Sequence, residues 1–160
     1  MRWIRESGTS IQQPVTSMTS PQSPVAGPAQ LILDRIEAFR RCDFGFIFDS
    51  YHRDSSFRRQ FPDRDDYIRY GWATLGKDFR ILSCTLLREE LTGSTARVIY
   101  LLGFKLHGEQ HRYAELAWLE DAGEGWRYRC GQKLMPEEWP VPAGRLDFSH
   151  FDSVAGKVIY

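Results

Sequence analysis

The segment HGEQHRYAELAW, residues 107–118, sets His107, His111, Tyr113 and Glu115 in a largely apolar stretch. Two chemistries are open to such a set. Imidazoles four residues apart meet on one face of a helix and can contribute to a zinc site, which wants three or four convergent ligands. A carboxylate beside a tyrosine, held among apolar groups, can instead serve as an acid or base with a shifted pKa. The elements that carry these residues decide between the two.

The surrounding residues alternate with period 2 and read as strands. A two-residue turn at Gly108–Glu109 suits type II′, which takes Gly first. Leu106 then faces His111, Phe104 faces Tyr113, Leu102 faces Glu115 and Tyr100 faces Ala117. In this register His107 and His111 point to opposite sides of the sheet. The zinc reading fails, and no metal or cofactor is expected.

Glu115 falls mid-strand on the apolar face, where an unpaired carboxylate is costly. A pocket is expected there, formed by Val98, Tyr100, Leu102, Phe104, Tyr113, Glu115 and Tyr128. Two readings stay open. In the favoured one Glu115 is structural, paired with an arginine or hydrogen-bonded to Tyr113. In the other it is a catalytic base, Tyr100 or Tyr113 polarises a carbonyl, and His52 or His111 shuttles the proton. A second turn over residues 121–124 would set Glu115 opposite Cys130, Ala117 opposite Tyr128 and Leu119 opposite Trp126. No sheet residue beside Glu115 is then charged. A compensating cation must come from the helices or from the arginines of residues 53–64.

These strands follow a helical half. In AQLILDRIEAFRR, Ile32, Ile36 and Phe39 recur at helical spacing, with Pro28 suited to the first turn. Asp43 is placed to cap FGFIFDSYH. A polar connection, RDSSFRRQFPD, leads to a third helix, RDDYIRYGWATLG, with a stripe of Ile68, Trp72 and Leu75. FRILSCTLLREE, TARVIYLLGFKLH, QHRYAELAWLED and GWRYRCGQKL then read as four strands joined by LTGS, HGEQ and DAGEG. Helices followed by consecutive hairpins predict an α+β domain over residues 29–134 with an antiparallel sheet. Residues 1–28, rich in Ser, Thr, Gln and Pro, read as a disordered tail or linker dispensable for folding. Residues 135–160 read as an irregular arm.

The opposite sheet face is also apolar: Ile99, Leu101, Ala114, Leu116 and Trp118, with Arg112, Arg127 and Arg129 around them. Such a patch rarely faces water. A second copy packing sheet on sheet is expected to cover it, with the 135–160 arm as the alternative.

The 160-residue chain has zero formal net charge and a pI near 6.9, which argues against nucleic-acid binding as a whole-chain property. The cysteines Cys42, Cys84 and Cys130 are odd in number and lack C-x-x-C spacing, which fits a reducing compartment. The start, MRWIRESG, has no apolar run after it, and no window is long and apolar enough to span a bilayer. The expected location is the cytoplasm. No nucleophile triad, phosphate loop or dinucleotide fingerprint is present.

YAELAWLEDAGEGWRYRCG resembles the closing hairpin of the YchJ-like domain. That pattern is a Glu, a small residue two on, an apolar residue two further, then W-x-Y-x-x-G, here Glu115, Ala117, Leu119, Trp126, Tyr128 and Gly131. FDSYHRDSS resembles the family's helix end and its His-Pro-Ser-Thr-Arg-like turn; His52 matches, while Arg53 replaces the proline. ARVIYLLGF resembles a further strand, so the similarity covers about residues 30–134. The resemblance implies the nuclear-transport-factor-two-like superfamily, with its SnoaL-like and ketosteroid-isomerase-like members. Its fold is a cone: N-terminal helices packed in a strongly curved antiparallel sheet, a cystatin-like α+β arrangement in which homodimers are common. The family has no settled activity to carry over. Many members add a Cys-rich SEC-C motif, and this chain has none. The expected function is a binding or interaction module with an apolar pocket and a possible small apolar ligand. A small-molecule isomerase, dehydratase or cyclase is the alternative.

Overall fold

A computed structural model describes residues 26–152 and the backbone of 158–159. The expected tail lies, up to residue 25, outside the described residues. Helix α1, Pro28–Arg40, begins with proline in its first turn, and the Ala29 amide donates to Glu89 Oε1 at 3.1 Å. Helix α2, Phe44–Ser50, is capped by Asp43, which accepts from the Phe46 amide at 3.0 Å. Asp63 caps helix α4, Arg64–Thr74, in the same way at 2.9 Å.

Two details of the helical half differ from expectation. The polar connection holds a short helix α3, Ser56–Gln60, capped by Ser55 at 3.2 Å from the Arg58 amide. Phe57 drives it: its ring is buried and stacks on Tyr51 at 3.7 Å. In α4 the buried positions are Tyr67 and Gly71, and Trp72 is 54% exposed. Gly71 explains the turn of the helix. The Phe44 ring lies so close that a β-carbon would approach Cδ2 to 2.9 Å and other ring atoms closer still.

The sheet is open and antiparallel, in the order β1 (Phe79–Thr92), β2 (Thr95–Leu106), β3 (Glu109–Asp121), β4 (Trp126–Leu134) and β5 (Val158–Ile159). Register shifts at Leu82 and Leu87 in β1 and at Arg129 in β4 are bulges, which bend and twist a sheet. The helices pack on one face. Ile32, Ile36, Ile47 and Phe48 meet Val98, Tyr100, Leu102, Ala117 and Leu119 in the main core.

The β2–β3 register corrects the sequence reading. The turn residues are His107 (φ 49°) and Gly108 (φ 86°), both left-handed, as a type I′ hairpin requires. Leu106 therefore pairs with Glu109, Phe104 with His111, Leu102 with Tyr113 and Tyr100 with Glu115. The slip is two residues, so every side chain keeps its face. His107 projects at the turn, with Nδ1 3.5 Å from Asp78.

On the outer face, where the sequence predicts a second copy against Ile99, Leu101, Leu116 and Trp118, lies a segment of the same chain, its own arm. Leu146 and Phe151, the latter in helix α5 (Ser149–Asp152), are fully buried against Ile99, Ala114, Leu116 and Leu134, with Val141 and Phe148 beside them. Polar contacts fix the arm in place. The Gln132 amide donates to the Phe151 carbonyl at 2.9 Å, and Trp139 Nε1 donates to the Leu134 carbonyl at 3.1 Å. Arg97 and Arg112 lie over the Phe148 and Trp139 rings at 4.3 and 5.1 Å. No described helix is long and apolar enough to cross a membrane.

Candidate functional site

Glu115 sits at the middle of β3 and is 4% exposed. Its cross-strand neighbours are Tyr100 on β2 and Lys133 on β4. Lys133, not Cys130, takes this place because the turn pairs Asp121 with Trp126, a shift of two residues, and the bulge at Arg129 adds one more. Trp118 pairs with Cys130 while Leu119 pairs with Tyr128, so Tyr128, Gly131 and Lys133 come to share the inner face.

Tyr128 Oη donates a hydrogen bond to Glu115 Oε1, and Tyr100, directly across the strand pair, places its phenol beside the same carboxylate. Gly131 makes the first of these possible. A β-carbon there would stand 2.6 Å from Glu115 Oε1 and would collide with the Tyr128 hydroxyl. Burial first, then the charge of Glu115, holds the Tyr100, Tyr113 and Tyr128 phenols well above the ordinary tyrosine pKa. The phenols therefore stay neutral donors around an acceptor.

Arg35 reaches this cluster from α1. Its guanidinium is 4.2 Å from the centre of the Tyr128 ring and 4.4 Å from that of Tyr51, and it donates to Ser50 Oγ. It is 6% exposed, and among the described residues no carboxylate lies within ion-pair distance of it. Tyr128 thus spans the two charges, with its ring face toward Arg35 and its hydroxyl on Glu115. Lys133 Nζ lies 4.6 Å from the centre of the Tyr113 ring.

These groups form the polar end of a cavity of about 310 Å³, a volume in the range of small-molecule sites. Its apolar walls come from Ile32, Ile36 and Phe39 of α1, Leu75 after α4, Phe79 and Ile81 of β1, and Leu102, Phe104 and Leu106 of β2. Of the residues expected to form the pocket, Tyr100, Leu102, Phe104, Tyr113, Glu115 and Tyr128 line it. Val98 does not; it is fully buried in the core.

The two candidate shuttles are not brought to Glu115. His111 stacks on Phe104 at 5.4 Å, and His111 Nε2 is 3.9 Å from Glu109. His52 borders a separate depression with Asp49, Arg53 and Arg127. Its Nδ1 accepts from the Asp54 amide at 3.1 Å and from Arg129 at 2.9 Å, so the proton is assigned to Nε2. Nε2 is buried and makes no hydrogen bond; Glu120 Oε2 is 3.9 Å away. Among the described residues no group of three His, Cys, Asp or Glu side chains could hold a metal ion.

Arg35 and Lys133 escaped the sequence reading, though each left a signal. Arg35 follows Ile32 by three residues on the buried stripe of α1, an expensive place for a charge. Gly131 stands inside a strand pattern, which is a mark of a bulge or of close backbone approach.

No family model matches the chain, and no curated protein matches it. Solved structures do. A SEC-C motif-containing protein from Rhodopseudomonas palustris aligns at a TM-score of 0.54 and 22% identity, over 68% of this chain and 79% of that one. A domain of unknown function with a cystatin-like fold from Nostoc punctiforme aligns at 0.52 and 12%, over 83% and 85%. The fold is cystatin-like: helices packed on an open antiparallel sheet. An NTF-2-like protein of unknown function from Shewanella oneidensis aligns at a TM-score of 0.45 and 13% identity, over 66% of this chain and 93% of that one. The cavity lies between the helices and the inner face of the sheet. Likeness of fold selects no activity for it.

Proposed function

We propose that the domain is a small-molecule binding module whose ligand is mainly apolar and carries one polar end. The observation that carries this reading is the cavity itself. Aliphatic and aromatic walls close on a polar end made by Arg35, Tyr100, Glu115, Tyr128 and Lys133. A few placed polar groups in an apolar enclosure are the usual chemistry of ligand pockets. The free thiols of Cys42, Cys84 and Cys130 support a cytoplasmic setting for it.

The test is an NMR titration of the full chain with octanol, read at the amides of Gly103, Glu115 and Lys133. Saturable shifts at these amides are expected. Leu75→Trp, which fills the cavity from its wall, is expected to abolish them. Shifts that persist unchanged in Leu75→Trp place the ligand elsewhere and end the proposal.

A second reading, an isomerase, dehydratase or cyclase, draws on one observation: the carboxylate of Glu115 lines the cavity beside neutral phenols. A base and a hydrogen-bond donor at one site suit proton abstraction next to a carbonyl. Deuterium exchange at the α-carbons of 2-octanone, present in wild type and lost in Glu115→Gln, would establish it. Exchange no faster than in buffer would exclude it for that ketone.

A further inference from the structure

The fixed charges of the cavity do not balance. Arg35 and Lys133 line it as cations, and Glu115 is the one carboxylate among its described lining residues. The tyrosines there add nothing to the negative side. Tyr100, Tyr113 and Tyr128 are held protonated by burial and by the charge of Glu115. Glu115 already accepts from the Tyr128 hydroxyl and has the neutral Tyr100 phenol beside it, so it is not waiting for a cationic ligand. The two cations stand otherwise. Among the described residues neither has a carboxylate within ion-pair distance, and both lean on aromatic faces: Arg35 on Tyr51 and Tyr128, Lys133 on Tyr113. Aromatic faces attract a cation but leave its N–H donors free to bond elsewhere. Arg35 comes from the helical side and Lys133 from the sheet. A group held between them would be gripped by both layers of the fold.

From this imbalance we propose that the ligand is an amphiphile ending in one anionic group, a monocarboxylate, whose head is taken by Lys133 and Arg35 and whose apolar part lies against Ile36, Phe39, Ile81 and Leu102. The inference rests on the binding reading above and gives the ligand its charge. A neutral alcohol would fill the same walls but leave the excess positive charge of the site uncompensated, which is costly where Arg35 is buried. An ammonium head would add a third positive charge.

The experiment compares octanoate, octanol and octylammonium, by calorimetry and by the same NMR titration, on the full chain at neutral pH. Octanoate is expected to bind about tenfold more tightly than octanol, the scale of one charged hydrogen bond, and octylammonium more weakly than either. Lys133→Met should abolish the preference for octanoate over octanol. If Lys133→Met does not fold, the three-ligand order on the wild type decides. Equal binding of octanoate and octanol overturns the charge assignment and leaves the apolar cavity reading standing. Tighter binding of octylammonium overturns it too, since Glu115 would then govern the site. An octanoate affinity untouched by Lys133→Met also overturns it. If none of the three binds, both readings fall.

Discussion

Lys133 stands directly opposite Glu115 across β3 and β4, yet its ammonium rests over the Tyr113 ring and forms no ion pair with the carboxylate. The carboxylate accepts instead from the Tyr128 hydroxyl, with the Tyr100 phenol beside it. Its nearness to Arg35 is relayed by the Tyr128 ring. Removing the charge therefore strands two cations and two phenols in the same buried place. Glu115→Gln should cost about 3 kcal/mol of stability, the scale for breaking one side of a buried charged network. Urea denaturation of both proteins at neutral pH measures it. A mutant as stable as the wild type would show that the carboxylate contributes nothing to the fold.

Gly131 and the Tyr128 hydroxyl compete for one small volume. Gly131→Ala should destabilise the domain by about 1–3 kcal/mol. In a Tyr128→Phe background the cost should be smaller by about 1 kcal/mol, since the colliding oxygen is gone. A double-mutant cycle reads this coupling directly. Additive effects would mean that the methyl group is accommodated elsewhere.

The phenols give the fold an alkaline limit. Tyr67, Tyr100, Tyr113 and Tyr128 have folded-state values raised above the unfolded value, burial being the largest cause. Their contribution is full below the unfolded value of about 10 and is lost as pH climbs through the folded values. Absorbance of phenolate should show these tyrosines ionising only as the protein unfolds. Full ionisation near pH ~10 with the circular dichroism of the native fold intact would contradict the burial described.

The arm is the second half of the sheet's packing. Leu146→Ala and Phe151→Ala should each cost about 2–5 kcal/mol, the range for emptying a buried site. If the arm alone covers that face, Trp118→Arg should leave the sedimentation of the full chain unchanged; a shift to a smaller species would show a second copy there. A chain cut after Leu134 bares Ile99, Leu116 and Leu134 and should associate. A monomeric truncated chain of wild-type stability would remove the arm from the core.

The inner face was legible because period 2 is insensitive to an even slip. The turn moved from Gly108–Glu109 to His107–Gly108, and Tyr100, Tyr113 and Glu115 still met. The odd step at Arg129 was not legible in the alternation. Added to a two-residue shift at the β3–β4 turn, it put Lys133 rather than Cys130 opposite Glu115 and changed the charge of the site. Arg35 was hidden for another reason. Helical spacing marks which residues face inward but not that a cation among them finds aromatic faces to rest on. The arm has no period because Leu146 and Phe151 are delivered by short turns, which leave none to read.

Arg35 and Tyr128 come from opposite ends of the helix-to-sheet order, separated by about 90 residues. Helix α1 packs on β1, β2 and β4, so its docking waits for the fourth long strand to be made. At roughly 5–20 residues per second of synthesis, that delay is about 5–20 s. Through it the stripe of Ile32, Ile36 and Phe39 has at most β1 and β2 to bury it, and Arg35 has no Tyr128 ring. The nascent chain must therefore carry an incompletely covered apolar helix through most of its translation, and the cavity is among the last features to take shape.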